Sequence, residues 1–197
     1  MPNTHTLLVR HRGAARILTR LLLAVDGRAC PVLGVATPDT STVVLWVQVA
    51  DDRLDHVLGA VRRTVGLTGV VVARPAQAAP VTGLRTHLDA DGVVDVSLAR
   101  RAQGVTTRGA GDGTSVADAT RAALAASGAS LADGDVWLLV DPVTGQPTAV
   151  RLDPTEGEGG LTAWVATGPS PVGAVADVLL ADGTSTAAGC PATVEAA

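Results

Sequence analysis

Between Arg10 and Ala14 the chain reads Arg-His-Arg-Gly-Ala, directly after an apolar run and directly before an amphipathic one. That placement gives the residues a chemistry. A glycine that opens a helix leaves backbone N–H groups pointing into the loop, and the helix dipole adds partial positive charge there. Arg10, His11 and Arg12 add formal positive charge beside Gly13 and Ala14. A small carboxylate or phosphate is the natural guest of such a loop, held by N–H groups and an arginine fork. The same residues also fit a solvated basic surface that pairs with acidic groups on a partner protein. On the residues alone both readings stay open.

Other candidates have ordinary explanations. His5, His11, His56 and His87 show no metal-ligand spacing, so no metal is expected. Asp89 and Asp91 precede Gly92, which suits a hairpin turn, and the later ligands of a calcium loop are missing. The segment Gly109-Ala110-Gly111-Asp112-Gly113-Thr114-Ser115 lacks the Gly-Lys-Ser/Thr ending of a phosphate loop. It reads as a flexible loop before a helix over 116–126, with Ser115 as N-cap, Asp118 completing a capping box and Gly128 as the stop. No nucleophile elbow or Cys-His pair is present, and Glu156 and Glu158 lie in an acidic loop with no base or nucleophile nearby in sequence. An enzyme is therefore not expected.

Composition narrows the function classes further. All 15 basic residues are arginine, Phe and Tyr are absent, and Trp46, Trp137 and Trp164 are the three large aromatics. A core of valine, leucine and alanine follows, with little to stack on a base or a sugar. Net charge is −4, which offers no overall attraction to nucleic acid or an anionic membrane. Cys30 and Cys190 fit neither a disulfide scaffold nor a metal motif. With no long apolar span and no export signal, a globular, soluble, cytoplasmic protein is expected.

Six elements must position the basic loop, and they lie in residues 4–74. Strand Thr4–Arg10 leads to a helix with Ile17, Leu18, Leu21, Leu22 and Val25 on one face, stopped by Gly27. Strand 31–37 and the turn Pro38-Asp39-Thr40-Ser41 precede an alternating strand. That strand puts Val43, Leu45, Val47 and Val49 on one face and Val44, Trp46 and Gln48 on the other. Its Trp46 face is expected to be only partly covered, free to meet solvent or a second chain. A second helix, capped by Asp51 or Asp52, repeats Leu54, Val57, Leu58, Val61 and Val65, and the strand Gly69–Arg74 closes the unit. A βαββαβ unit of this size predicts two helices over one face of a four-stranded antiparallel sheet.

The order of elements, the opening Thr4-His5-Thr6-Leu7-Leu8-Val9, Gly27, the Leu33-Gly34-Val35-Ala36 strand and the Asp-containing second helix resemble the ACT domain. The closest match in style is the small regulatory subunit of acetohydroxyacid (acetolactate) synthase. That resemblance implies a ferredoxin-like fold, a homodimer through the sheet and helices, and a branched-chain amino acid at the dimer interface. It further implies activation of a thiamine-diphosphate-dependent large subunit, so the cofactor belongs to the partner and none is assigned to this chain. The ligand loop implied is Arg10, His11, Arg12, Gly13 and Ala14, where the family carries an Asn and a Pro-Gly. The second ligand segment implied is Gly27-Arg28-Ala29-Cys30, where the family carries Gly-aromatic-Asn-apolar. Both amide side chains are absent here, and of the first motif only Gly13 survives.

Beyond a proline-bounded linker at 75–80, a second small α+β domain of no assigned family is expected over 81–183, then a flexible tail at 184–197. Strands are expected at 81–88, 93–98, 136–140, 148–152 and 161–167, and Val172–Ala181 satisfies a helix or a strand equally. The function expected is a non-catalytic regulatory or assembly subunit with an ACT-like domain. The alternative is a stand-alone sensor of a carboxylate or phosphate.

Overall fold

Leu7 and Val9 alternate with Leu8 along the first strand, and this alternation gives both faces of that strand something to bury. In the computed structural model, which describes residues 2–13, 16–77, 81–102, 105–154 and 160–181, strand β1 (Asn3–His11) is followed by α1 (Ile17–Asp26), β2 (Val32–Ala36), β3 (Thr42–Val49), α2 (Asp51–Arg62) and β4 (Leu67–Val72). The sheet order is β2-β3-β1-β4, and every neighbouring pair is antiparallel. Leu7, Val9, Val43, Leu45, Val47 and Val49 form one buried cluster with Ile17, Leu21 and Val25 of α1 and Val57, Leu58 and Val61 of α2. The face of α1 and the period-two alternation of β3 are therefore as the sequence predicts, whereas α2 ends at Arg62, so that Val65, expected on its buried face, lies beyond the helix and is largely exposed.

The start of α2 differs from expectation, while α1 stops at Gly27 as expected. Ala50, not an aspartate, is the N-cap of α2. Asp51 sits in the first turn, where it suits the dipole, and its carboxylate accepts from Asn3 Nδ2 at 3.0 Å and lies 3.1 Å from His5 Nε2. At the end of α1, Gly27 keeps right-handed helical angles, while Ala29 takes the left-handed conformation with φ of 51°.

The larger correction concerns Trp46. Its face of the first sheet is not open: Trp46 is 3% exposed and packs with Leu8 and Val44 against Val150, Leu152 and Ala163 of a second sheet. That sheet has the order β5 (Arg74–Pro75), β11 (Leu161–Thr167), β10 (Pro147–Pro154), β9 (Asp135–Val140), with β5 parallel to β11 and the rest antiparallel. Burying a large apolar face against the chain's own second sheet leaves no such face for a second chain.

On the far side of the second sheet lie α3 (Val116–Ala126) and α4 (Pro171–Leu180), and beyond them a three-stranded antiparallel sheet of β6 (Val81–Leu88), β7 (Val94–Ala102) and β8 (Val105–Gly113). The ambiguous stretch 172–181 is helical, because Ser170 caps it and Pro171 sits in its first turn. Its Val172, Val175, Val178 and Leu179 are buried among both layers. The β6–β7 turn follows its turn chemistry: Asp89 Oδ1 accepts from the N–H of Asp91 and of Val93 at 2.9 and 2.8 Å, and Gly92 has φ of 80°.

The glycine segment 109–113 is not a loop. It is the second half of β8, and its glycines fall at every other residue on the face toward α3. A Cβ on Gly109 would meet the backbone of Ala123, one on Gly111 would lie 2.5 Å from Ala122 Cβ, and one on Gly113 would lie 2.7 Å from Asp118 Cβ. Glycine lets helix and strand backbones touch here, so a pattern that reads as flexibility is a packing surface. Ser115 is the N-cap of α3 as expected, its Oγ accepting from Asp118 N at 3.1 Å. Asp118 answers with its carboxylate to the Ser115 hydroxyl at 2.7 Å, not to the backbone.

In all, the chain is an α+β protein with mostly antiparallel sheets and four helices among the described residues. None of those helices is long and apolar enough to cross a membrane. The flexible tail expected at 184–197, the end of the linker at 78–80, Cys190, Glu156 and Glu158 lie outside the described residues.

Candidate functional site

The basic loop sits where β1 ends, and the backbone donors of residues 11–13 are already paired. His11 N–H donates to Ser41 O at 2.8 Å, and Arg12 N–H to Gly66 O at 3.1 Å. Gly13, with φ of 70°, donates its N–H to His11 Nδ1 at 3.0 Å. Arg10 is held as well: its Nη2 lies 2.6 Å from Asp135 Oδ2, which ties the first sheet to the start of β9. Arg12 is exposed, and Ala14 lies outside the described residues. What remains for an anion is the start of α1, where Arg16 takes the N-cap position with φ of 62° and makes no side-chain cap.

Arg28, Ala29 and Cys30 lie at the other end of the sheet. The helix α1 runs between the two segments, and ten residues at 1.5 Å each separate them by about 15 Å. There Arg53 Nη2 donates to the carbonyl of Arg28 at 3.1 Å, and the Cys30 thiol faces Gln48 O at 3.5 Å. Burial pushes the Cys30 thiol above its ordinary pKa, and the nearby Arg53 charge only partly offsets it. A buried, protonated thiol is a poor nucleophile. Ala29 and Cys30 line a cleft of about 660 Å³ with Leu22, Leu23 and Asp26, whose one charged group is acidic. Within one chain the structure therefore does not bring the two predicted segments together.

Sequence reasoning missed a second set of arginines. Arg10 shares a cleft of about 610 Å³ with Arg121, Asp133 and Asp135 at the junction of the two halves. Arg121 Nη1 and Nη2 donate to the carbonyls of Ala132 and Gly134 at 3.1 and 2.9 Å, so this cation shapes a loop. Arg151 is 1% exposed in the middle of β10. It donates to the carbonyls of Val178 and Ala181 at the end of α4, pairs with Asp153 at 2.7 Å, and stacks 5.7 Å from the Trp164 ring centre. These are structural duties: each guanidinium satisfies carbonyls that a helix end or loop leaves unpaired. Among the described residues, no group of three His, Cys, Asp or Glu side chains is gathered closely enough to hold a metal ion.

Charge divides between the halves. Residues 1–77 carry nine arginines against five aspartates, and the remainder carries six arginines against eleven aspartates and three glutamates. In the first half Arg12, Arg16, Arg20, Arg62 and Arg63 are exposed around the two helices. Among them Leu23 is 66% and Val65 75% exposed. No protein-family model matches the chain, and no curated protein matches it either.

Proposed function

We propose that the chain is a non-catalytic regulatory or assembly subunit whose first half is an ACT-like, ferredoxin-like domain. The strand order β2-β3-β1-β4, with α1 and α2 on one face, supports the fold reading. The observation that carries the role is the outer side of those helices, where Leu23 and Val65 share a shallow cleft with Arg20 and Arg63. Exposed apolar side chains ringed by arginine suit a partner surface that is apolar at its centre and acidic at its rim. The resemblance makes that partner a thiamine-diphosphate-dependent large subunit of the acetohydroxyacid synthase type, in branched-chain amino acid metabolism. Pairing of two ACT-like units would use helices or strand edges, since the second sheet occupies the Trp46 face. The sensor alternative has less to draw on, because the N–H groups of residues 11–13 and Nη2 of Arg10 are engaged within the chain, which leaves the Arg10 Nε as its unpartnered buried donor there.

Activation of such a large subunit by the purified chain is the test. Leu23→Asp with Val65→Asp should lower activation at least tenfold while leaving thermal stability unchanged, since both side chains are largely exposed. Equal activation by this double variant, or none by the wild-type chain, removes the reading. A thermal shift with amino acids or phosphate compounds that vanishes in Arg10→Ala/Arg12→Ala would favour the sensor instead.

A further inference from the structure

Every open sheet has edges, and an unprotected edge is a template for another strand. Among the described residues, five of the six edge strands carry a device against pairing. The register of β2 shifts at Leu33, that of β4 at Thr68, and that of β6 at Gly83 and Leu84. β5 is two residues long and contains Pro75. β8 presents the exposed charges Arg108 and Asp112. β9 has none of these: it reads Asp-Val-Trp-Leu-Leu-Val, pairs with β10 without a shift, and carries its single charge at its first residue. Leu138 and Val140 on it are 36% and 66% exposed. No strand among the described residues pairs with its outer edge.

We propose that β9 is a self-association edge, which pairs antiparallel with β9 of a second copy about a two-fold axis through Leu138. The strand is complementary to itself in that register. A two-fold perpendicular to the sheet keeps each face on its own side, so residues of equal parity must meet. Leu138 then lies opposite Leu138 of the second copy, Val140 opposite Val136, and Trp137 opposite Leu139. These are cross-strand apolar pairs of the kind that stabilise sheets. Like charges meet where Asp135 faces Asp141 of the second copy, twice by symmetry and at the two ends, where Arg10 already lies on Asp135 and backbone N–H groups of Val143 and Thr144 hold Asp141. A single strand pair is smaller than a standard interface of roughly 1,600 Å², so the dimer depends on concentration. The inference rests on the sheet edges and not on the regulatory reading.

Light scattering of the full chain over a concentration series, joined to a cysteine probe, tests it. Wild-type protein should pass from monomer to dimer, and Val140→Lys should weaken that step at least tenfold while leaving the fold intact. Leu138→Cys should give a covalent dimer under mild oxidation, with peptide mapping locating the bond between the two copies of residue 138. Val140→Cys should not cross-link to itself, because those positions are four residues apart in register. A chain that stays monomeric at every concentration overturns the inference. So does a dimer that survives Val140→Lys unchanged and forms no bond at residue 138.

Discussion

The two halves of this molecule lay helices on antiparallel strands by opposite means. In the first, Leu7, Val9, Leu45 and Val47 meet Leu21, Val25, Val57 and Val61, so long side chains fill the space between sheet and helices. In the second, Gly109, Gly111 and Gly113 face Ala119, Ala122 and Ala123, and backbone meets backbone. The lesson is that a layer can be held by volume or by its absence, and the two respond to opposite errors.

The largest expected effect is at Arg151, where the second half relies on a buried cation. Arg151→Met leaves the carbonyls of Val178 and Ala181 unpaired and Asp153 without its partner. It should cost about 3–5 kcal/mol in urea unfolding. Adding Asp153→Ala should recover part of that loss, because the orphaned carboxylate is then gone.

Next comes the contrast itself. Leu21→Ala should cost about 2–5 kcal/mol in the first half by leaving a cavity. Gly111→Ala should cost about 1–3 kcal/mol in the second by pressing a methyl group into α3. If Gly111→Ala were neutral, the close approach of β8 to α3 would not be what holds that layer.

Smaller effects come from the turns of the first half. Ala29→Gly should stabilise by about 1 kcal/mol, since glycine takes the left-handed conformation without a Cβ penalty. A gain in thermal midpoint would establish it. The turn before β3 gives a pH dependence. Burial pushes the Asp39 carboxyl up, but donors from the Ser41 N–H at 2.6 Å, the Ser41 hydroxyl at 2.9 Å and Thr42 together hold it below the usual carboxylate range. A depressed native pKa adds stability above the unfolded value of about 3.9, and that stability is lost as pH falls through the native value. Asp39→Asn should therefore flatten the acid side of a stability profile below about pH 4, with little change in shape near neutrality.

Much of the chain was legible because burial is periodic. The faces of α1 and β3, the face of α2 as far as Val61, the turn at Asp89 and the cap at Ser115 follow from local spacing and side-chain chemistry. What local spacing misjudged was glycine and ambiguous valine. Gly109, Gly111 and Gly113 read as a loop because a missing side chain looks the same whether it permits flexibility or contact. Val172–Ala181 fitted two periods until Ser170 and Pro171 settled it as a helix.

For the candidate site the residues were legible and their engagement was not. The sequence by itself determined the order of strands and helices over residues 4–74, the basic character of the loop at Arg10–Gly13, and the inner faces of α1 and β3. Tertiary structure alone decided that the second sheet covers Trp46, that Arg10 reaches Asp135, that the Arg10–Gly13 and Arg28–Cys30 segments lie at opposite ends of α1, and that β9 is left as an edge. The physical reason is range: periodicity and capping act within about two turns, whereas the partner of a face, an edge or a charge is set by residues a hundred positions away.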